Sequence, residues 1–137
     1  MRFEFLEHTA DAKFKAYGES IEDAFISSAC AMFYILKGDL QIERNIRRKI
    51  SLQASTYINL LHDFLEEFIF LIDTESLVLS EIESLEIDEE RLSLRCVAHF
   101  DKASGYDISG DIKSVTYSEM EIKEEKGKFT TQVVVDI

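Results

Sequence analysis

The first third of the chain changes from strand-like to helix-like spacing of its hydrophobic residues. Apolar and basic residues alternate within residues 3–17, which predicts extended chain closed by Gly18. A helix is predicted next, because Ser20 can cap it and because Lys37 and Gly38 form an ordinary helix end. Between these ends, apolar residues recur at spacings of three and four and make one face. They are Ile21, Ala24, Phe25, Ala29, Met32, Phe33 and Leu36.

A strand over residues 41–54 is predicted to lead into a second helix, capped by Ser55 or Thr56 and ending near Asp73. Apolar residues cover so much of this helix that we expect it to be central in the fold. The rest of its surface is a polar stripe, interpreted as a solvated face because it lacks the Glu-x-x-His pattern of di-iron bundles. The stripe consists of Asn59, His62, Asp63, Glu66 and Glu67.

After Thr74 the hydrophobic period changes to two, which predicts four successive strands. Alternation is strict over residues 92–100, and a shift of phase after Tyr117 indicates a β-bulge. The last strand is expected over residues 129–137, where three consecutive valines predict burial on both faces. The element order β-α-β-α-β-β-β-β predicts a single α+β domain over residues 1–137, with two helices packed on a mostly antiparallel or mixed sheet.

Composition limits where the protein works and what it contains. Hydrophobic residues make up 46% of the chain, enough for a core, yet there is no apolar run of membrane-spanning length. The first residues also lack the pattern of a signal peptide, so we expect a cytoplasmic protein without a membrane partner. Cys30 and Cys96 lie among apolar neighbours and are predicted to be buried, reduced thiols. His99 falls at an outward position of its predicted strand.

The formal net charge is −12, which suits cations or a basic protein partner and disfavours direct binding of nucleic acid. Residues 44–49 are the exception, since they contain Arg44, Arg47, Arg48 and Lys49. On a strand, Arg47 and Lys49 would share one face while Arg48 points away. A solvated edge strand protected by charge explains this cluster better than a nucleic-acid patch.

Motifs of common enzymes are missing from the sequence. There is no P-loop, GxGxxG, GxSxG, HExxH or EF-hand loop, and no cysteine and histidine have the spacing of a known catalytic pair. The sequence therefore predicts that the protein is not an enzyme.

Two segments carry polar groups that could form a site. His8-Thr9-Ala10-Asp11 interrupts the first extended stretch, as either a site or a strand end turning into solvent. At the other end, Asp136 is followed directly by the terminal carboxylate of Ile137. Two such negative groups repel each other unless a cation lies between them, and with Asp11 they would supply oxygen donors for Ca²⁺ or Mg²⁺. From the residues alone, an exposed acidic tail is the stronger interpretation.

Taken together, these segments resemble the archease family over essentially the whole chain, and in the right order. The opening His-Thr-Ala-Asp combined with the closing Asp-Ile is the most distinctive part of the resemblance. The matching segments are residues 8–11, 16–25, 60–67, 73–75, 112–117 and 136–137.

The resemblance implies a non-catalytic activator of the GTP-dependent tRNA-splicing RNA ligase. Such a protein promotes guanylylation of the ligase and its multiple turnover in tRNA splicing and RNA repair, and meets RNA only through the ligase. The resemblance also implies a divalent cation, Ca²⁺ in the family, held by Asp11, Asp136 and the main-chain carboxylate of Ile137. His8 and Thr9, beside Asp11, are the predicted partner-binding residues.

The sequence departs from the family pattern at positions where relatives often have histidine. Ser118 follows the Val-Thr-Tyr strand, and the preceding loop over residues 105–111 has no histidine. Any role of those histidines is in doubt for this chain. Two alternative functions stay open, an RNA-binding chaperone that presents RNA ends and a metal-dependent phosphoesterase.

Overall fold

The computed structural model describes residues 2–7, 11–108 and 110–137, and within them the chain forms seven strands, two α-helices and one 3₁₀ turn. The strands lie in two separate sheets rather than in one. The elements are β1 (Phe3–Leu6), β2 (Ala12–Gly18), α1 (Ile21–Lys37), β3 (Ile46–Gln53), α2 (Tyr57–Glu75), β4 (Leu77–Asp88), β5 (Ser93–Lys102), the 3₁₀ turn (Ala103–Gly105), β6 (Ser114–Glu125) and β7 (Lys128–Asp136).

The larger sheet has the strand order β1-β2-β7-β6, and the smaller sheet has the order β3-β5-β4. Every described strand pair is antiparallel. The predicted α+β class, with two helices on antiparallel strands, is therefore confirmed. The first extended stretch differs in detail, because it folds back on itself as the β1–β2 hairpin, with Phe5 opposite Phe14.

Both helices begin at the caps that the sequence predicted. The Ser20 side chain accepts a hydrogen bond from the Asp23 amide at 3.0 Å, and the Thr56 side chain accepts one from the Asn59 amide at 3.0 Å. These bonds satisfy amides that have no partner inside the helix. Helix α1 ends at Gly38, whose φ of 56° lies in the region that glycine adopts at low cost.

The core fills the space between the helices and the two sheets. Phe33 of α1 packs edge-on against Phe68 of α2, whose ring also lies 5.0 Å from Phe64 and 6.0 Å from Phe100 of β5. All four rings are fully buried. Helix α2 contacts α1 and strands β3 to β6, which include strands of both sheets. These contacts confirm its central position. Neither described helix is long and apolar enough to cross a membrane.

The prediction of burial was wrong for Cys30, whereas His99 faces outward as predicted. Cys96 is buried as expected, but Cys30 is exposed, because it lies on the outward side of α1. His99 does point away from the core, yet it is only 8% exposed because Glu83 and Arg44 cover it. The prediction took account of the strand pattern but not of long side chains folding over the ring.

Candidate functional site

The strand pairing of the larger sheet brings the predicted carboxylates to one end of the sheet. Strands β2 and β7 pair as far as Ala12 opposite Val135. On both strands, the next residue toward this end of the sheet is an aspartate. Asp11 precedes Ala12, and Asp136 follows Val135. The register therefore places these two aspartates beside each other, at neighbouring strand ends. Both are partly buried.

The chain end is fixed by its neighbours in the sheet. Strand β7 lies between β2 and β6, and Val133, Val134 and Val135 are all fully buried, as predicted. Ser114 of β6 pairs with Asp136, and the Lys113 amide donates a hydrogen bond to the Asp136 carbonyl oxygen at 2.7 Å. Ile137 follows with 45% of its surface exposed. These contacts hold the last strand in the sheet as far as Asp136.

The chemistry of these groups suits a hard cation. The predicted donors are the carboxylates of Asp11 and Asp136 and the main-chain carboxylate of Ile137, and carboxylate oxygens are the ligands that Ca²⁺ and Mg²⁺ prefer. Over the described residues, no three His, Cys, Asp or Glu side chains gather into a metal cluster. The donor set thus includes only two side chains and depends on the terminal carboxylate for its third member. The predicted partner-binding residues His8 and Thr9 lie outside the described residues.

The polar stripe of α2 contacts the larger sheet, so the prediction of a fully solvated face was wrong for two of its residues. Glu66 accepts a hydrogen bond from the Val115 amide at 2.6 Å, and His62 Nε2 lies 3.0 Å from the Val115 carbonyl oxygen. His62 Nδ1 lies 3.1 Å from the Asp63 carboxylate. The spacing of four in the sequence places His62 and Glu66 on one face of α2, but it does not indicate what that face contacts.

The predicted β-bulge is present in β6, next to these contacts. The pairing with β7 shifts between Thr116 and Glu121, and Glu119 has a φ of 54°. Gln132 donates a hydrogen bond to the Glu119 carbonyl oxygen at 2.8 Å, and Lys13 Nζ lies 3.1 Å from the Glu119 carboxylate. These contacts hold the bulge on the sheet.

Tyr117 stands at the start of the bulge and stacks on His62, with ring centroids 4.0 Å apart and planes 11° apart. Tyr117 is nevertheless accessible to solvent, since 53% of its surface is exposed. Partial desolvation, followed by the negative charges of Asp63 and Glu66, raises the pKa of the Tyr117 phenol. The phenol therefore stays neutral and available as a hydrogen-bond donor throughout the physiological range.

The basic cluster lies on β3, an edge strand as predicted, except for Arg44, which precedes the strand. Carboxylates from other elements face its arginines. Arg48 points to the core side and forms two hydrogen bonds with Glu75 at 2.6 and 2.8 Å. Those bonds hold the pKa of Glu75 below its ordinary value. On the opposite face, Arg44 lies 2.6 Å from Glu81, and Arg47 lies 3.8 Å from Glu83. The arginines are thus largely compensated within the protein.

One open cleft of about 450 Å³ lies at the turn between β4 and β5. Its lining includes Glu86, Asp88, Arg91 and Arg95, a mixture of both charges. Neither Asp11 nor Asp136 belongs to it.

Comparison with known proteins identifies the family. The model of the archease protein family matches residues 3–137. The chain belongs to the archease family. Among relatives named protein archease, that of Methanosarcina mazei is 34% identical and that of Methanothermobacter thermautotrophicus is 33% identical. The alignments cover 99% and 98% of this chain, and 96% and 98% of the two relatives.

Solved structures agree with the archease fold found here. The solution structure of Methanobacterium thermoautotrophicum protein 1598 superimposes with a TM-score of 0.83 at 32% identity, covering 99% of both chains. The crystal structure of a Thermotoga maritima archease, described as a possible chaperone, gives a TM-score of 0.66 at 17% identity, covering 96% of this chain and 94% of that one. At that identity the second comparison supports the fold only.

Proposed function

We propose that this archease-family protein is a non-catalytic activator of the GTP-dependent tRNA-splicing RNA ligase. It promotes guanylylation of the ligase and so allows each ligase molecule many turnovers. The observation that carries the proposal is the family match over residues 3–137, which full-length relatives at 33–34% identity support. The acidic charge of −12 also suits a protein whose partner is another protein rather than bare RNA.

We further propose that Asp11, Asp136 and the Ile137 carboxylate bind a divalent cation, with Ca²⁺ as the expected ion. Supporting this, β2 and β7 place the two aspartates at neighbouring strand ends. A bound cation would neutralise carboxylates that otherwise repel one another. The residues of this chain then contribute by holding the acidic end in one shape. That end would bind the guanylylation-competent conformation of the ligase more tightly than its other conformations.

Ligation under multiple-turnover conditions tests the activator proposal. The cognate ligase is used far below the RNA concentration, with and without this protein at a low molar ratio. We expect ligation to stop near one turnover per ligase without the protein and to reach completion with it. An equal product yield in both reactions would contradict the proposal.

Calorimetric titration with Ca²⁺ and with Mg²⁺ tests the cation site. The wild type should bind Ca²⁺ in a ratio of about one to one, and its melting temperature should rise with Ca²⁺ as mass action requires. Asp11→Asn and Asp136→Asn should each weaken binding by at least about tenfold, since each removes a charged donor. Glu125→Gln is the matched control, because Glu125 is an exposed carboxylate at the end of β6 and β7 opposite to Asp136. Wild-type affinity in both site variants would exclude the assignment.

The alternative of an RNA-binding chaperone has less support. Its sequence signal was the basic cluster of β3, and the three arginines there lie within 4 Å of carboxylates. The Thermotoga maritima archease is described as a possible chaperone, but at 17% identity its likeness to this chain supports the fold alone. A gel-shift titration at low salt discriminates between the proposals, since salt-sensitive RNA binding by this protein alone would favour the chaperone. Metal-dependent turnover of a phosphoester by the protein alone would favour the phosphoesterase.

A further inference from the structure

Among the strands that the structure describes, β6 forms one edge of the larger sheet and pairs only with β7. In a strand, the amide and carbonyl of one residue point toward the same side. Both groups of Val115 are bonded to α2, through Glu66 Oε1 at 2.6 Å and His62 Nε2 at 3.0 Å, so this side faces away from β7. Val115 is only 4% exposed, so water has little access to these groups. Glu66 and His62 therefore occupy the place of an absent neighbouring strand.

These two side chains are themselves held in position. They lie four residues apart and so share one face of α2. The His62 ring is stacked on Tyr117 and contacts Asp63 through its other nitrogen. We name this arrangement the edge clamp, made of Glu66 and His62 bonded to Val115.

The edge clamp lies one residue position before the end of the sheet that carries the carboxylates. Ala12, Val135 and Val115 stand side by side on β2, β7 and β6. One step toward the sheet end come Asp11, Asp136 and Ser114, and Asp136 pairs with Ser114. The Lys113 amide binds the Asp136 carbonyl oxygen at 2.7 Å, so a shift of β6 would carry over to the strand end.

We propose that Glu66 and His62 are positioning residues for the carboxylate site at the chain end. They fix β6 against β7, and through this pairing they fix the main chain of Asp136 relative to Asp11. The inference rests on the proposed cation site and adds to it two residues that touch no cation themselves. Side chains that orient the ligands of a metal usually change its affinity by about 10- to 100-fold when removed.

The test compares Ca²⁺ affinity among variants of the full chain by calorimetry. Glu66→Ala removes the acceptor of the Val115 amide and should weaken Ca²⁺ binding by about tenfold or more. Glu66→Gln keeps an acceptor oxygen at the same reach and should restore affinity to within about threefold of wild type. A role in global stability alone would not produce this rescue. Should Glu66→Ala fail to fold, His62→Ala takes its place, because it removes the bond to the Val115 carbonyl and leaves the bond from the Val115 amide to Glu66 in place.

Thr56→Ala is the matched control, since it weakens the start of α2 without touching Val115. It should lower thermal stability and leave Ca²⁺ affinity unchanged. Wild-type Ca²⁺ affinity in Glu66→Ala, or an equal loss of Ca²⁺ affinity in Thr56→Ala, would overturn the inference. Neither result would contradict the proposed cation site. If the wild type binds neither Ca²⁺ nor Mg²⁺, the cation site fails first and the inference fails with it.

Discussion

Arg48 and Glu75 illustrate how single residues connect α2 to the smaller sheet. The guanidinium forms two hydrogen bonds with the carboxylate, and Lys102 Nζ binds the Glu75 carbonyl oxygen at 2.9 Å. A planar guanidinium matches a carboxylate in this two-bonded geometry better than a lysine could. The pair thus fixes the end of α2 beside β3 and β5.

Acidification should weaken this pair. The pKa of Glu75 in the folded state is lowered, chiefly by the Arg48 hydrogen bonds, from its ordinary value of 4.5. The pair therefore stabilises the fold fully above that ordinary value, and the stabilisation is lost as pH falls through the lower, folded-state pKa. We expect Glu75→Gln to reduce the free energy of unfolding at pH 7, with the difference from wild type narrowing below pH 4.

Urea unfolding at several pH values between 3 and 7 measures this effect. Glu86→Gln is the matched control, because the Arg95–Glu86 pair is more than 70% exposed and such pairs contribute little. A difference between wild type and Glu75→Gln that stays constant from pH 7 to pH 3 would contradict the assigned pKa direction.

At the scale of elements, the start of α2 offers a local test. Thr56 caps the helix through the Asn59 amide, so Thr56→Ala leaves that amide without its partner. We expect a loss of about 1 kcal/mol in the free energy of unfolding, seen as a melting temperature lower by about 4 °C. Ser55→Ala is the control, because Ser55 accepts a hydrogen bond from the Asn59 side chain rather than from a helix amide. Equal stability of Thr56→Ala and wild type would show that Thr56 does not cap the helix.

The sequence predicts best those features that depend on neighbouring residues. The caps at Ser20 and Thr56 follow from residues within one turn of each helix. The β1–β2 hairpin was missed because residues 7–11 contain no glycine or proline to mark a turn. The division into two sheets was missed because both sheets contain strands with the same alternation, and alternation does not specify a pairing partner.

The candidate site shows the same limit. Asp11 and Asp136 were predicted as site residues from the family resemblance and from the adjacent negative charges at residues 136 and 137. The β2–β7 register places the two aspartates side by side. The contacts of Glu66 and His62 with Val115 span 49 and 53 residues of sequence. No local pattern shows that the α2 stripe faces the edge of a sheet, and a solvated face was therefore the simpler interpretation.

At the scale of the whole molecule, a rigid core holds the acidic chain end in place. The buried rings of Phe33, Phe64, Phe68 and Phe100 join both helices to the smaller sheet. The larger sheet contributes β7, whose three buried valines end one residue before Asp136. Archease-family membership and the acidic charge support the proposal of a protein that acts by binding its partner.

The most direct test of this account is multiple-turnover RNA ligation by the cognate ligase with Asp136→Asn in place of wild type. Glu125→Gln is the charge-matched control, since Glu125 is exposed and pairs with Lys128 at the end of β6 and β7 opposite to Asp136. The account predicts that Glu125→Gln sustains repeated turnover as wild type does, whereas Asp136→Asn leaves the ligase near a single turnover. Full activation by a folded Asp136→Asn variant would contradict the central claim that the carboxylates at the chain end carry the activity.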